Sequence, residues 1–199
     1  MPIYIIRHGQ TALNAARILQ PTDTPLSHDG VVQAYALAKR LKEISIDAIL
    51  CSDLPRAMQT AQAIAALQAK LSPGCFITSE HLRERDLGDL RGKPYDAIGI
   101  DIDILNLTEA PPGGESMAQF NARVALAFAQ IISLQQRYET LVVVTHGLVI
   151  REITKNYLSL RPGIDAPTRI GNTAVTIFES TPPHWVDVLN STEHLEPLR

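Results

Sequence analysis

Seven groups scattered along the chain suit a single kind of chemistry: Arg7, His8, Ser52, Arg56, Glu84, His146 and the backbone N–H of Gly147. Guanidinium groups match phosphate with paired hydrogen bonds, and two of them beside two imidazoles suit a tetrahedral dianion. Neutral imidazole is nucleophilic near neutral pH, whereas a hydroxyl needs a separate base. His8 is therefore the expected nucleophile. Arg7 and Arg56 should disfavour its protonation, and a backbone carbonyl on its other nitrogen should fix the tautomer. His146 is expected to stabilise the equatorial oxygens of a transferring phosphoryl group, where transition-state charge collects. Glu84 is expected to protonate the leaving oxygen and then activate water, its pKa raised by the bound dianion. No carboxylate cluster with metal-ligand spacing accompanies these residues, so neither a metal nor another cofactor is expected. Plainer roles stay open for some of them. Glu84, between Arg83 and Arg85, also fits a solvated charge run, and Arg56 also fits a solvent-facing helix position.

Those residues need elements to position them. Ile3 to Ile6 form a short apolar run of the kind that reads as a strand buried on both faces, which puts Arg7 and His8 at its carboxyl end. Ligands bind at the carboxyl ends of strands in open α/β sheets. Thr140–Thr145 repeats the pattern, ending in His146-Gly147 before a helix that opens at Leu148. Asp47–Ser52 is a further strand, and Pro55 opens a helix reaching about Leu71, with Arg56 in its anion-favouring first turn. Helices are also expected from the N-cap Ser27 to Lys42 and from Met117 to Arg137, and a strand over Cys75–Thr78. Gly9–Leu26 reads as a loop with a short helix, and the charged, glycine-punctuated Leu82–Gly92 as a functional loop. Thr173–Glu179 and Trp185–Leu189 read as an edge hairpin. Alternating strands and helices predict a doubly wound, mostly parallel α/β sheet flanked by helices, with an antiparallel edge.

A chain of 199 residues that is 45% hydrophobic suits a single domain, here residues 1–199, with a cap or lid at about 94–121. Between Pro94 and Asn121 there is no Lys or Arg, while Asp96, Asp101, Asp103, Glu109 and Glu115 are all present. Net charge is −3 with the cations scattered, which argues against nucleic acid or an anionic membrane as partner. No apolar run is long enough to span a bilayer, no targeting segment opens the chain, and Cys51 and Cys75 read as buried core thiols. A cytoplasmic location follows as an expectation. A homodimer is left open.

Several motifs in order resemble the histidine phosphatase superfamily, also called phosphoglycerate-mutase-like. They are Arg7-His8-Gly9-Gln10-Thr11 with Asn14; Asp23-Thr24-Pro25-Leu26 with Gly30; Ser52 to Ala57 with Gln59-Thr60-Ala61; and Leu82-Arg83-Glu84 with Gly88 and Gly92. Gly113 to Ser116, Val144 to Gly147 with Ile150-Arg151, and Asn172-Thr173 complete the series. The resemblance implies that His8 is phosphorylated, that Arg7, Arg56 and His146 hold the phosphate, and that Glu84 donates the proton. Gln10, Thr11, Asn14, Ser52 and Gly147 match positions lining or approaching the phosphate pocket. Pro21 stands where many relatives carry glycine, which stiffens that loop.

The resemblance further implies a small-molecule phosphate monoester as substrate, with sugar phosphates, phosphoserine and α-ribazole phosphate among the choices. The mutase branch is similar at the site, but the acidic 94–121 segment should repel a phosphorylated acid, so hydrolysis is expected. Carboxylates facing the cleft there would favour substrates with a neutral remainder. The alternatives are a cofactor-dependent phosphoglycerate mutase and a non-catalytic phospho-ligand binding module.

Overall fold

A computed structural model describes residues 1–98 and 107–198; of the expected cap, residues 99–106 lie outside the described residues. Six strands form one sheet in the order β3-β2-β4-β1-β5-β6. They are β1 (Pro2–Arg7), β2 (Ala48–Ser52), β3 (Phe76–Ser79), β4 (Leu141–Thr145), β5 (Val175–Glu179) and β6 (Val186–Ser191). β1 to β4 run parallel, and the β5–β6 hairpin adds the antiparallel edge. The expected fold class is the one found.

Side-chain alternation along the central strands divides the core in two. Ile3, Ile5, Leu50, Leu141 and Val143 pack against α4 (Met117–Gln135) and α5 (Gly147–Tyr157) through Phe120, Val124, Ile131, Val149 and Ile153. On the opposite face Ile6, Ile49, Cys51, Val142 and Val144 meet Leu37 and Leu41 of α2 (His28–Leu41) and Ala57, Ala61 and Ile64 of α3 (Pro55–Ala66). Both faces are covered, which is why these strands read as unbroken apolar runs. Ser27 caps α2 by accepting from the Gly30 amide, and Ser116 closes a capping box with Gln119 at the start of α4. The loop after β1 contains only the four-residue α1 (Ala12–Ala15), capped by Thr11.

Two expectations need correction. α3 stops at Ala66 instead of near Leu71, and Leu71 joins the core from a turn because the chain must already bend towards Pro73-Gly74 and β3. Cys75 is only half-buried, since it precedes β3, the strand at the sheet's outer edge; Cys51, inside β2, is fully buried.

The sheet register sets the site. β1 and β4 are neighbours with Arg7 paired to Thr145, and the His8 amide donates to the Thr145 carbonyl at 3.0 Å. His8 and His146, each the residue after its strand, therefore leave the sheet side by side. Backbone contact fixes the first of them: a Cβ on Gly30 would stand 1.9 Å from the Gln10 carbonyl oxygen, and one on Gly9 would stand 2.6 Å from that of Gly30. The start of α2 can press against the segment beyond His8 only because both residues lack side chains.

Candidate active site

The rings of His8 and His146 lie 5.1 Å apart between centroids, tilted by 57°. Both are buried, at 1% and 0% exposure. Nδ1 of His8 is 2.7 Å from the carbonyl oxygen of Gly9, the backbone partner anticipated for the tautomer. With the proton held on Nδ1, Nε2 keeps its lone pair. The His8 carbonyl accepts from the Thr173 amide at 3.3 Å and from Asn172 Nδ2 at 3.1 Å, which ties the segment around His8 to the loop before β5. Thr173 holds a φ of 54°, a region that β-branched residues rarely occupy, with its hydroxyl 2.9 Å from Nε2 of His194.

Burial lowers the pKa of His8 well below the ordinary imidazole value, reinforced by the cations Arg7 and Arg56 and opposed by the Gly9 bond. Burial does the same to His146, followed by Arg56, His8 and Arg7. Both rings are neutral at pH 7. Arg56, in the first turn of α3, is 2% exposed, so it is no solvent-facing helix residue. Its guanidinium donates to the Pro21 carbonyl at 3.2 Å, and burial pushes its pKa down to about 10, which leaves it charged at neutral pH. Arg7 donates from Nη1 to the Ile170 carbonyl. Among the described residues five buried side-chain polar atoms lack a partner, and three belong to this cluster: Arg7 Nε, Arg56 Nε and His146 Nδ1. Buried polar atoms are almost always satisfied, so their grouping marks a place for an anion.

Glu84 follows the short helical turn Glu80–Leu82 at the end of β3. Its carboxylate accepts from the Leu148 amide at the start of α5 and from the Arg85 amide, both at 3.1 Å. Burial raises its pKa; those two backbone bonds and the nearby Arg56 and Arg7 pull the other way. The charged run around it has three separate fates instead of one solvated face. Arg83 forks onto Asp53, at 2.8 and 3.0 Å from Nε, while Arg85 turns inward, 3% exposed, and donates to the carbonyls of Leu107, Glu109 and Glu115. From α4, Arg123 reaches the carbonyls of Arg83 and Glu84 and pairs with Glu115. The loop carrying Glu84 is thus clamped from two sides.

A cleft of about 540 Å³ opens beside these groups, lined by Arg7, Asn14, Arg56, Glu84 and Gly147 among others. Gln10, Thr11 and Ser52 do not line it, and neither do the buried rings of His8 and His146 themselves. Gln10 faces the Ser27 hydroxyl at 3.1 Å, Thr11 caps α1 and donates to Gln20, and Ser52 stands 2.9 Å from Nε2 of His146. Their short or amide side chains are occupied in holding the loop and the second histidine. Asn14 does both jobs, lining the cleft while it completes the cap of α1 and donates to Asn172.

A model of the histidine phosphatase superfamily (branch 1) matches residues 3–192. The chain belongs to that superfamily. It is 37% identical to phosphoglycerate mutase-like protein 4 of Arabidopsis thaliana, over 98% of this chain and 86% of that protein. Among solved structures it is similar to a putative alpha-ribazole-5'-P phosphatase from Escherichia coli (25% identity, TM-score 0.79, covering 96% of this chain and 97% of that one). It is also similar to a mycobacterial glucosyl-3-phosphoglycerate phosphatase in complex with VO3 (28% identity, TM-score 0.77, covering 96% and 99%). Both of those structural neighbours are named as phosphatases, and the chain is a member of the enzyme superfamily to which its family model assigns it.

The histidine phosphatase cleft differs from expectation in its charge. Among the described residues its lining holds seven arginines, Arg7, Arg17, Arg56, Arg85, Arg91, Arg151 and Arg169, and one carboxylate, Glu84. Glu109 and Glu115 do not line it; Glu115 is taken up by Arg123 and by the Asp86 amide. Asp96 faces Arg17 from the surface, and Asp101 and Asp103 lie outside the described residues. The expected repulsion of a phosphorylated acid therefore has no basis in the described part of the cleft. Sequence reasoning passed over Arg123, Tyr95 and Arg169. They sit on a helix, a turn and a loop with no local pattern to set them apart.

Proposed function

We propose that this histidine phosphatase is a metal-independent phosphomonoesterase that hydrolyses small phosphorylated metabolites through a phosphohistidine on His8, with Glu84 as proton donor. The observation that carries this is the grouping of three unpartnered buried atoms, Arg7 Nε, Arg56 Nε and His146 Nδ1, around the neutral ring of His8. Such a cluster answers the charge of a phosphoryl group as it moves to nitrogen. Nε2 of His8 attacks phosphorus, forming the P–N bond as the P–O bond to the leaving group breaks. Glu84 gives its proton to the departing alkoxide. The resulting carboxylate takes a proton from water, whose oxygen displaces the imidazole. Phosphate and the free alcohol leave, with His8 neutral and Glu84 protonated again. Arg7, Arg56 and His146 hold the transferring group, beside Asn14 and Gly147; Gln10, Thr11 and Ser52 support the loop and ring from behind.

The names of the neighbouring phosphatases favour small phosphorylated metabolites as substrates. Two free cysteines, Cys51 and Cys75, suit a reducing, cytoplasmic location. Phosphoglycerate mutase is a second reading, favoured by the arginine-rich cleft and by the mutase-like name of the plant relative. Turnover of p-nitrophenyl phosphate with a chelator present, by wild type and His8→Ala, tests the first. Activity should survive the chelator and vanish in the variant; undiminished activity in His8→Ala would remove the mechanism. A mutase would instead convert 3-phosphoglycerate to its 2-isomer faster than it hydrolyses it, and only with a bisphosphate primer.

A further inference from the structure

The cleft contains more arginines than one phosphate group requires, and their partners sort them. Arg7 and Arg56 stand at the histidines, Arg85 is engaged by backbone carbonyls, and Arg91 pairs with Asp86. Arg17 meets Asp96 at 3.7 Å with side chains 49% and 89% exposed, an arrangement that contributes little and leaves the cation available. Arg169 is different again. It is exposed on the loop before Ile170 and lines the cleft, yet among the described residues only its backbone is engaged, its carbonyl accepting from Asn190 Nδ2 at 3.0 Å.

Tyr95 connects the two sets of charges. It lines the same cleft, with the Arg17 guanidinium 5.9 Å from its ring centroid and its amide donating to the Arg17 carbonyl at 3.0 Å. Burial raises the pKa of its phenol, Glu84 adds to that, and Arg7, Arg17 and Arg169 oppose it. Arg17, Tyr95 and Arg169 share the lining of one cleft of about 540 Å³ with Arg7, Arg56 and Glu84, so a single small molecule bound there faces both sets. Thr168, Asn190 and Thr192 add neutral hydrogen-bonding groups to the Arg169 side of the lining.

We propose that Arg169, with Arg17, binds a second anionic group, carboxylate or phosphate, carried on the alcohol portion of the substrate. The inference rests on the phosphatase reading for the orientation of the first phosphate. It replaces a neutral remainder with a charged one and makes Arg169 a specificity residue. Guanidinium contacts to an oxyanion are charge-assisted and directional, and Arg169 has no competing partner to surrender.

Binding to His8→Ala protein separates recognition from turnover. The probes are 4-carboxyphenyl phosphate, 1,4-phenylene bisphosphate and the neutral isostere 4-carbamoylphenyl phosphate, titrated calorimetrically. At least one dianionic-remainder probe or its carboxylate counterpart should bind roughly tenfold tighter than the carbamoyl compound, as charge-assisted bonds allow. Adding Arg169→Ala should cut that ratio to about threefold or less, and Arg169→Lys should retain part of it. Whichever probe shows the gain that depends on Arg169 identifies the group as carboxylate or phosphate. Ratios of about one for both probes, or a ratio that Arg169→Ala leaves unchanged, would overturn the proposal. Wild-type hydrolysis of the carbamoyl compound reports on the phosphatase reading by itself. Turnover with flat ratios removes the second site alone, and a tenfold ratio without turnover keeps the site while removing the phosphatase.

Discussion

Ser52 Oγ lies 2.9 Å from Nε2 of His146, while Nδ1 of the same buried ring has no partner. A hydroxyl that donates to Nε2 leaves the ring proton on Nδ1, which is the donor an oxyanion needs. In the proposed mechanism Ser52 is thereby a positioning residue, at the carboxyl end of β2 next to β4.

Ser52→Ala should lower kcat by roughly 10- to 100-fold, the scale on which small misplacement of a stabilising group acts. KM should change less, because Arg7 and Arg56 still hold the ground-state phosphate. Steady-state kinetics on p-nitrophenyl phosphate decides the matter. An unchanged kcat would show that His146 needs no anchor.

Glu84→Gln should cost roughly 10²-fold or more in kcat with an alkyl phosphate, whose alkoxide must be protonated to leave. With p-nitrophenyl phosphate the phosphoryl-transfer step should suffer less, since p-nitrophenolate departs without a proton. Equal losses on both substrates would argue against Glu84 as the acid.

The acid and nucleophile also predict a pH profile. His8 must be neutral, and its lowered pKa keeps it so well into acid; Glu84 must be protonated, and its raised pKa extends that condition upward. Activity should therefore persist below pH 6.5, the ordinary imidazole value, and decline as pH rises through the Glu84 pKa. A profile of kcat/KM rising steadily towards alkaline pH would contradict these roles.

Stability should respond to the same histidines with a definite sign. A histidine whose folded pKa is depressed binds fewer protons folded than unfolded, so stability falls as pH drops below the unfolded value near 6.5. Each of the buried pair, His8 and His146, contributes up to about 1.4 kcal/mol per pH unit in that window. Glu84, raised, acts in the opposite direction, but it is one group against two. His194, pushed down to about 4 mainly by burial, adds to the loss. Thermal melts between pH 7 and pH 5 should show a falling midpoint, with a gentler fall in His146→Gln.

Gly30→Ala places a methyl 1.9 Å from the Gln10 carbonyl oxygen, a backbone atom that cannot swing aside. The expected cost is about 1–3 kcal/mol, typical of overpacking, with a matching drop in the unfolding midpoint. Because the displaced segment adjoins His8, activity at a temperature where the variant stays folded should fall as well. A variant with wild-type stability would mean that the loop and α2 are not in fixed contact.

How much of this was legible beforehand follows from what each feature depends on. β1 and β4 are buried on both faces, so their apolar runs identify them without any knowledge of neighbours, and the residues at their ends are read directly. Ser27 announces α2 through its local cap, and the apolar side of α4 announces that helix, whose Ser116 cap is seen only in the structure. The end of α3 was misjudged because helical propensity continued past the point where packing against the sheet stopped. Glu84 and Arg56 could not be told from surface charges, since burial is a property of the assembled layers.

The sequence alone determined the elements, the cluster of candidate side chains and the family likeness, because these depend on local pattern and on motif order. Tertiary structure decided that β4 inserts between β2 and β1, which brings His8 beside His146 across 138 positions of chain and Ser52 against the same ring across 94. It also decided the charge of the cleft. Arginines from six separate segments converge there, while Glu115 turns to Arg123, and no count of charges along a linear segment carries that information.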